Sequence, residues 1–249
     1  MYLTSPSPHS FWIAPMKSGC LKSIWSFAIL FSTSLAFGSQ AVVPPETFSS
    51  NFDEGLASFY VHHSGKWEIK ADDFGNAYAS LIQEGEFEPP LRRPTAFLLV
   101  PDRVWSDVTL NVRARSTANM TFPGRDLVLI FGYVDNLHFY YAHISNSNNG
   151  RTHNVIMKVD GTKRHVIQQP KFPEPRLSGE WQNLRLVHQA NGKIEIYVDK
   201  MKTPLMTAED TSFLSGMIGF GSFDETGDFD EVHVEGILLN PTEKSFIKH

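Results

Sequence analysis

Val108-Thr109-Leu110-Asn111-Val112-Arg113-Ala114-Arg115 alternates apolar and polar residues without a break. In an extended chain successive side chains point to opposite faces. Val108, Leu110, Val112 and Ala114 therefore share a dry face, and Thr109, Asn111, Arg113 and Arg115 a wet one. The same pattern returns where Ile194, Ile196 and Val198 alternate with Glu195, Tyr197 and Asp199. Between them, Leu127 to Val134 is apolar throughout and rich in β-branched and aromatic residues, which predicts a strand covered on both sides. From residue 48 onward no segment carries a sustained helical stripe.

The turns agree with this reading. Asp160-Gly161 separates His153–Val159 from Thr162–Gln168, and Asn191-Gly192 separates Asn183–Ala190 from Lys193–Lys200. Both dipeptides tolerate the positive φ of a tight hairpin. Asp135-Asn136 predicts a third hairpin, joining the buried strand to Leu137–Ile144. That hairpin and the two after it are expected to form a meander. Proline clusters at Pro89-Pro90, Pro94 and 170–175 read as loops, and longer loops are expected near 83–94 and 145–152. Roughly a dozen strands with short connections predict an all-β fold, an antiparallel two-sheet jelly-roll sandwich.

The first 41 residues stand apart. Lys17 and Lys22 precede a charge-free apolar run from Ile24 to Phe37, and Ser39-Gln40-Ala41 fits a small-x-small cleavage pattern. The reading is a signal peptide over 1–41, with Met16 a better start than Met1, and a single domain over 42–249. The run is short for a spanning helix, which needs about 20 residues, so no stable membrane insertion is expected after cleavage. The lone cysteine, Cys20, leaves with the leader, so no disulfide is expected. The leader holds two lysines and no acid, so the net charge moves from −5 to −5 − 2 = −7. A mildly acidic exported domain without a basic stripe is no candidate for nucleic acid. With 41% hydrophobic and 20% charged residues, the chain can build a sizeable core.

Two stretches carry a resemblance. The opening Asn51-Phe52-Asp53-Glu54-Gly55 is followed by Gly65-Lys66-Trp67-Glu68-Ile69. The close Gly216-Met217-Ile218-Gly219-Phe220-Gly221-Ser222-Phe223 is followed by Phe229-Asp230-Glu231-Val232-His233-Val234. These ends resemble the concanavalin A-like lectin/glucanase superfamily, with laminin G-like modules and bacterial 3-keto-disaccharide hydrolase-type domains as the nearest sub-groups. The resemblance implies that the first and last strands are neighbours, that the glycines let backbones pass closely, and that Phe220, Phe223 and Phe229 seal the core. In the laminarinase-like branch an Asp of the final strand ligates calcium. Asp230 matches that position, and Asp53 is the second expected ligand, for a structural Ca²⁺.

Other chemistry is sparse. His138, His143 and His153 show no His-x-His or His-Glu-x-x-His spacing, which argues against zinc. The Glu-x-Asp-x-x-Glu pattern of laminarinase-like enzymes is absent. Glu84, Glu86 and Glu88 alternate but run straight into Pro89-Pro90, which predicts a solvated loop edge. No Gly-x-Ser-x-Gly occurs. What remains is a wet sheet face. Arg113, Tyr133, Tyr141, His143, Lys158, Arg185 and Tyr197 all fall on strands whose alternate residues look like core, and aromatic plus cationic groups there would suit a glycan. The preferred expectation is a secreted, periplasmic or extracellular carbohydrate-binding or adhesion-type module without catalysis. A hydrolase of the 3-keto-disaccharide type and a structural envelope protein are the alternatives.

Overall fold

A computed structural model describes residues 43–62, 64–119, 121–122, 124–147, 151–168 and 177–239. All regular structure among them is strand, and the proposed leader lies outside them. In chain order the strands are β1 (Glu46–Ser50), β2 (Tyr60–Val61), β3 (Lys66–Ala71), β4 (Ala77–Gln83), β5 (Ala96–Leu99), β6 (Val104–Ser116), β7 (Asp126–Asp135), β8 (His138–Ser145), β9 (Val155–Asp160), β10 (His165–Val166), β11 (Gln182–His188), β12 (Lys193–Val198), β13 (Met206–Glu209), β14 (Ser215–Ser222) and β15 (Gly227–Leu239).

They form two antiparallel sheets. The first runs β3-β4-β15-β6-β11-β12-β13, with β1 also on β15. The second runs β10-β9-β8-β7-β14-β5-β2. The start of β14 belongs to both: Ser215 and Gly216 pair with Ser106 and Trp105 of β6, before the strand continues between β5 and β7. The fold is thus an all-β jelly-roll-like sandwich, as the alternation predicts.

Periodicity places the core. On β6, Leu110, Val112 and Ala114 are buried while Asn111, Arg113 and Arg115 are partly open. With Leu184 and Leu186 of β11 and Ile194 and Ile196 of β12 they meet Leu129 and Phe131 of β7 and Phe220 of β14. Phe52 stacks on Phe59 at 5.2 Å, and Phe220 packs on Phe229 at 5.0 Å. Each fully buried side chain of this kind contributes roughly 1.5–3 kcal/mol.

β7 alternates too, but between two dry faces. Leu127, Leu129 and Phe131 enter the main core, whereas Val128, Ile130 and Tyr133 join a second cluster with Phe97, Phe139, Tyr141, Met157 and Phe223. The second sheet is therefore covered on both sides, with Leu91 and Met217 packed on the far cluster. This accounts for the apolar run 127–134.

The hairpins stand where their turns predict, with Gly161 at φ 78° and Gly192 at φ 88°. One expectation needs correcting. β7 to β10 do form a meander, but the Asn191-Gly192 hairpin lies in the first sheet, beyond β6. The first and last strands are neighbours, with Phe48 opposite Val234.

Candidate functional site

The seven glycan-face candidates do not share one face. Arg113, Arg185 and Tyr197 project from the outer side of the first sheet. Arg113 Nη1 donates to Glu231 Oε1 at 3.2 Å and stands 4.0 Å from Asp230. Arg185 Nε donates to Asn111 Oδ1 at 2.6 Å, and the Tyr197 hydroxyl donates to Glu195 at 3.1 Å. Asn111, Arg113, Asn183, Arg185 and Glu231 ring a shallow hollow of about 160 Å³. Beside it lies Trp181, a residue the alternation missed because it sits just ahead of β11. The guanidinium groups of Arg113 and Arg115 approach its ring at 4.8 and 4.7 Å.

Tyr133, Tyr141 and His143 lie instead on the outer side of the second sheet, and all three are buried there. Their faces are opposite the core, as their strand positions require, but loops and neighbouring side chains cover them. Lys158 points the other way, with Nζ 3.0 Å from Asp210 Oδ2. Burial would raise Asp210, but hydrogen bonds from Tyr140, Ser212 and Lys158 outweigh it and hold the carboxyl below its ordinary value.

The acidic candidates are placed as follows. β1 ends at Ser50 opposite Val232, and Asp53 lies in the turn that follows it. Asp53 is exposed and accepts a hydrogen bond from Asn51 at 2.6 Å. Asp230 lies opposite Arg113, and burial pushes its pKa upward against the hydrogen bond from the Glu231 amide. No group of three or more His, Cys, Asp or Glu able to hold a metal is assembled among the described residues. Glu84 and Glu86 are exposed beyond the end of β4, and Glu88 pairs with Arg93 at 2.7 Å.

A larger hollow lies elsewhere, at one end of the second sheet. Four short segments line it: Tyr60 of β2, the Pro101-Asp102 turn after β5, residues Tyr133–His138 around the β7–β8 turn, and Met217 of β14. Its volume is about 510 Å³. Tyr60 is 48% exposed, a free aromatic surface. The Tyr133 hydroxyl donates to Asn136 Oδ1 at 2.6 Å, and His62 Nε2 lies 2.8 Å from the same oxygen. Asp135 accepts from the Leu137 amide and faces His138 Nδ1, both at 2.8 Å. Burial raises the pKa of Tyr133, and the adjacent Tyr60 and Asp135 raise it further, so its hydroxyl stays protonated and able to donate. The result is an apolar and aromatic floor with a few fixed polar groups, a combination suited to a small polyhydroxylated ligand.

Comparison with known proteins bears on the fold. No family model matches the chain, and no curated protein matches it in sequence. Solved structures do. The carbohydrate binding module CBM66 from Bacillus subtilis aligns with a TM-score of 0.52 at 17% identity, over 73% of this chain and 98% of that one. Cellulose induced protein, Cip1, aligns at 0.52 and 11% identity, over 75% and 96%. A Bacillus subtilis protein of unknown function with a galectin-like fold aligns at 0.50 and 13% identity, over 78% and 96%. At these identities the likeness is one of fold, and it agrees with a jelly-roll sandwich.

Proposed function

We propose that this domain is an exported, non-catalytic carbohydrate-binding module and that sugar occupies the Tyr60 hollow. The observation that carries the reading is the exposed Tyr60 ring beside Asp102, Asp135 and Asn136 in a cavity of about 510 Å³. The C–H face of a pyranose stacks on such a ring, while carboxylates and amides take its hydroxyls. The fold shared with a carbohydrate binding module supports the reading. So does the engagement of Asp135 with Leu137 and His138, which holds that carboxyl as an acceptor.

The test is affinity electrophoresis through gels containing neutral polysaccharides. Tyr60→Ala should lose retention on the polysaccharide that retards the native protein and keep its melting temperature, because the ring is half in solvent. Unchanged retention would remove the hollow from consideration. Release of reducing sugar or 3-keto sugar by the native protein would replace binding with hydrolysis. Export is tested separately: mass spectrometry of the native product should find a mature start near Val42, and an intact Cys20 would refute it.

A further inference from the structure

A second hollow, of about 260 Å³, opens where the β14–β15 turn meets β7 and β8. Four of its ionisable groups sort into two pairs, and Arg164 and Glu225 stay outside them. Asp126 and His143 are both nearly fully buried, with His143 Nε2 3.4 Å from Asp126 Oδ2. That contact is an ion-pair distance without hydrogen-bond alignment, so the Nε2 atom, buried and lining the hollow, makes no hydrogen bond. Asp126 is committed further: it accepts from the Ser222 hydroxyl at 2.8 Å and the Phe223 amide at 2.7 Å. His143 Nδ1 donates to the Thr152 carbonyl. Asp224 is paired with Arg92.

Arg164 is the cation outside those pairs. Its guanidinium is half-buried, lies 4.3 Å from the centre of the Phe223 ring, and donates from Nη1 to the Tyr141 hydroxyl at 3.2 Å. It has no carboxylate partner among the described residues. A guanidinium held in place by an aromatic face and a phenol keeps its other N–H groups for a carboxylate, which it binds as a two-pronged fork. The hollow is large enough for one sugar ring.

We propose that this hollow is a binding site for an acidic sugar, a uronic acid whose carboxylate pairs with Arg164. It is separate from the Tyr60 hollow and does not rest on the reading given to it. Glu225 makes the site sensitive to pH. Burial raises its pKa to about 7, with Asp126, Glu84 and Asp224 adding to the effect and Arg125 opposing it. His153, also on the hollow, is lowered by burial and by His143. Below about pH 7 Glu225 is neutral, and above it Glu225 adds a negative charge to the hollow that opposes a bound carboxylate.

Calorimetric titration of the native chain with glucuronate, below and above pH 7, tests this, with glucose and acetate as controls. Glucuronate should bind more weakly above pH 7, and glucose and acetate should show no comparable binding. Arg164→Gln should lose at least about tenfold in affinity. Glu225→Gln should keep binding and lose the pH dependence, which guards against a folding defect in the arginine variant. Tyr60→Ala should leave glucuronate binding intact, so failure of one site is distinguishable from failure of the other. No binding by the native protein, equal binding by Arg164→Gln, or equal binding of acetate would each overturn the proposal.

Discussion

Gly216 lies backbone against backbone with Gly132: a Cβ at Gly216 would come within 2.3 Å of the Gly132 carbonyl carbon and 2.4 Å of the Tyr133 nitrogen. This is the point at which β14 leaves the first sheet and enters the second. No flexible side chain is there to move aside. Gly216→Ala should therefore destabilise the fold by at least the roughly 1–3 kcal/mol of ordinary overpacking. Urea unfolding should show a lower midpoint at unchanged slope, and an unaltered midpoint would mean that the crossing can relax.

Tyr141 and Tyr197, both read from sequence as glycan-face residues, should respond in opposite ways. Tyr141 is fully buried beside Phe139 and Phe223, so Tyr141→Ala should cost roughly 3–5 kcal/mol. Tyr197 is partly open and hydrogen-bonded to Glu195, so Tyr197→Ala should change stability by less than about 1 kcal/mol. On a polysaccharide gel Tyr197→Ala should be retained like the native protein. Loss of retention would move the site to the first sheet, beside Arg185 and Trp181.

Acid should destabilise the domain through His188. The ring is 1% exposed between Phe131 and Tyr140, and burial lowers its pKa from 6.5 to about 4, with Asp107 and Asp210 opposing. As pH falls below 6.5 the unfolded chain takes up a proton that the folded one refuses. Stability is thus lost between 6.5 and about 4, by roughly 3 kcal/mol in all. Glu225 runs the other way: its pKa is raised, so its contribution is present below 4.5 and lost as pH rises to about 7. Comparing His188→Phe with the native protein isolates the histidine. The variant should lose less stability across that window, and parallel curves would rule His188 out.

Calcium through Asp230 and Asp53 is a proposal with a direct readout. A ligand bound only to the native state adds about 2.7 kcal/mol at a hundredfold excess over Kd. Melting should rise with calcium and fall with chelator, and Asp230→Asn should abolish the rise. Absence of any shift in the native protein would take the metal out of the description.

Strand identity was legible wherever one face is wet, as at 108–115 and 194–198. The covering of the second sheet was not. His138–Ser145 carries aromatics on both faces, and nothing local tells a solvated Tyr141 from a covered one. Its cover comes from residues distant in sequence, including Phe223 and Phe97. Tyr60 was invisible for a different reason. Its strand is two residues long, too short for any period, and its hollow is assembled from four separate segments. Trp181 escaped because it precedes the alternating run instead of belonging to it.

β1 and β15 run antiparallel, with Glu46 opposite Gly236 and Ser50 opposite Val232. Both ends of the described chain therefore depart from the same rim of the sandwich. A tensile load drawn through those ends does not shear the strands along their length. It opens the Glu46–Gly236 rung first and then each rung in turn, so only one or two hydrogen bonds resist at any moment. Under tension β1 peels from β15 like a zip, while β15 stays laddered to β4 and β6.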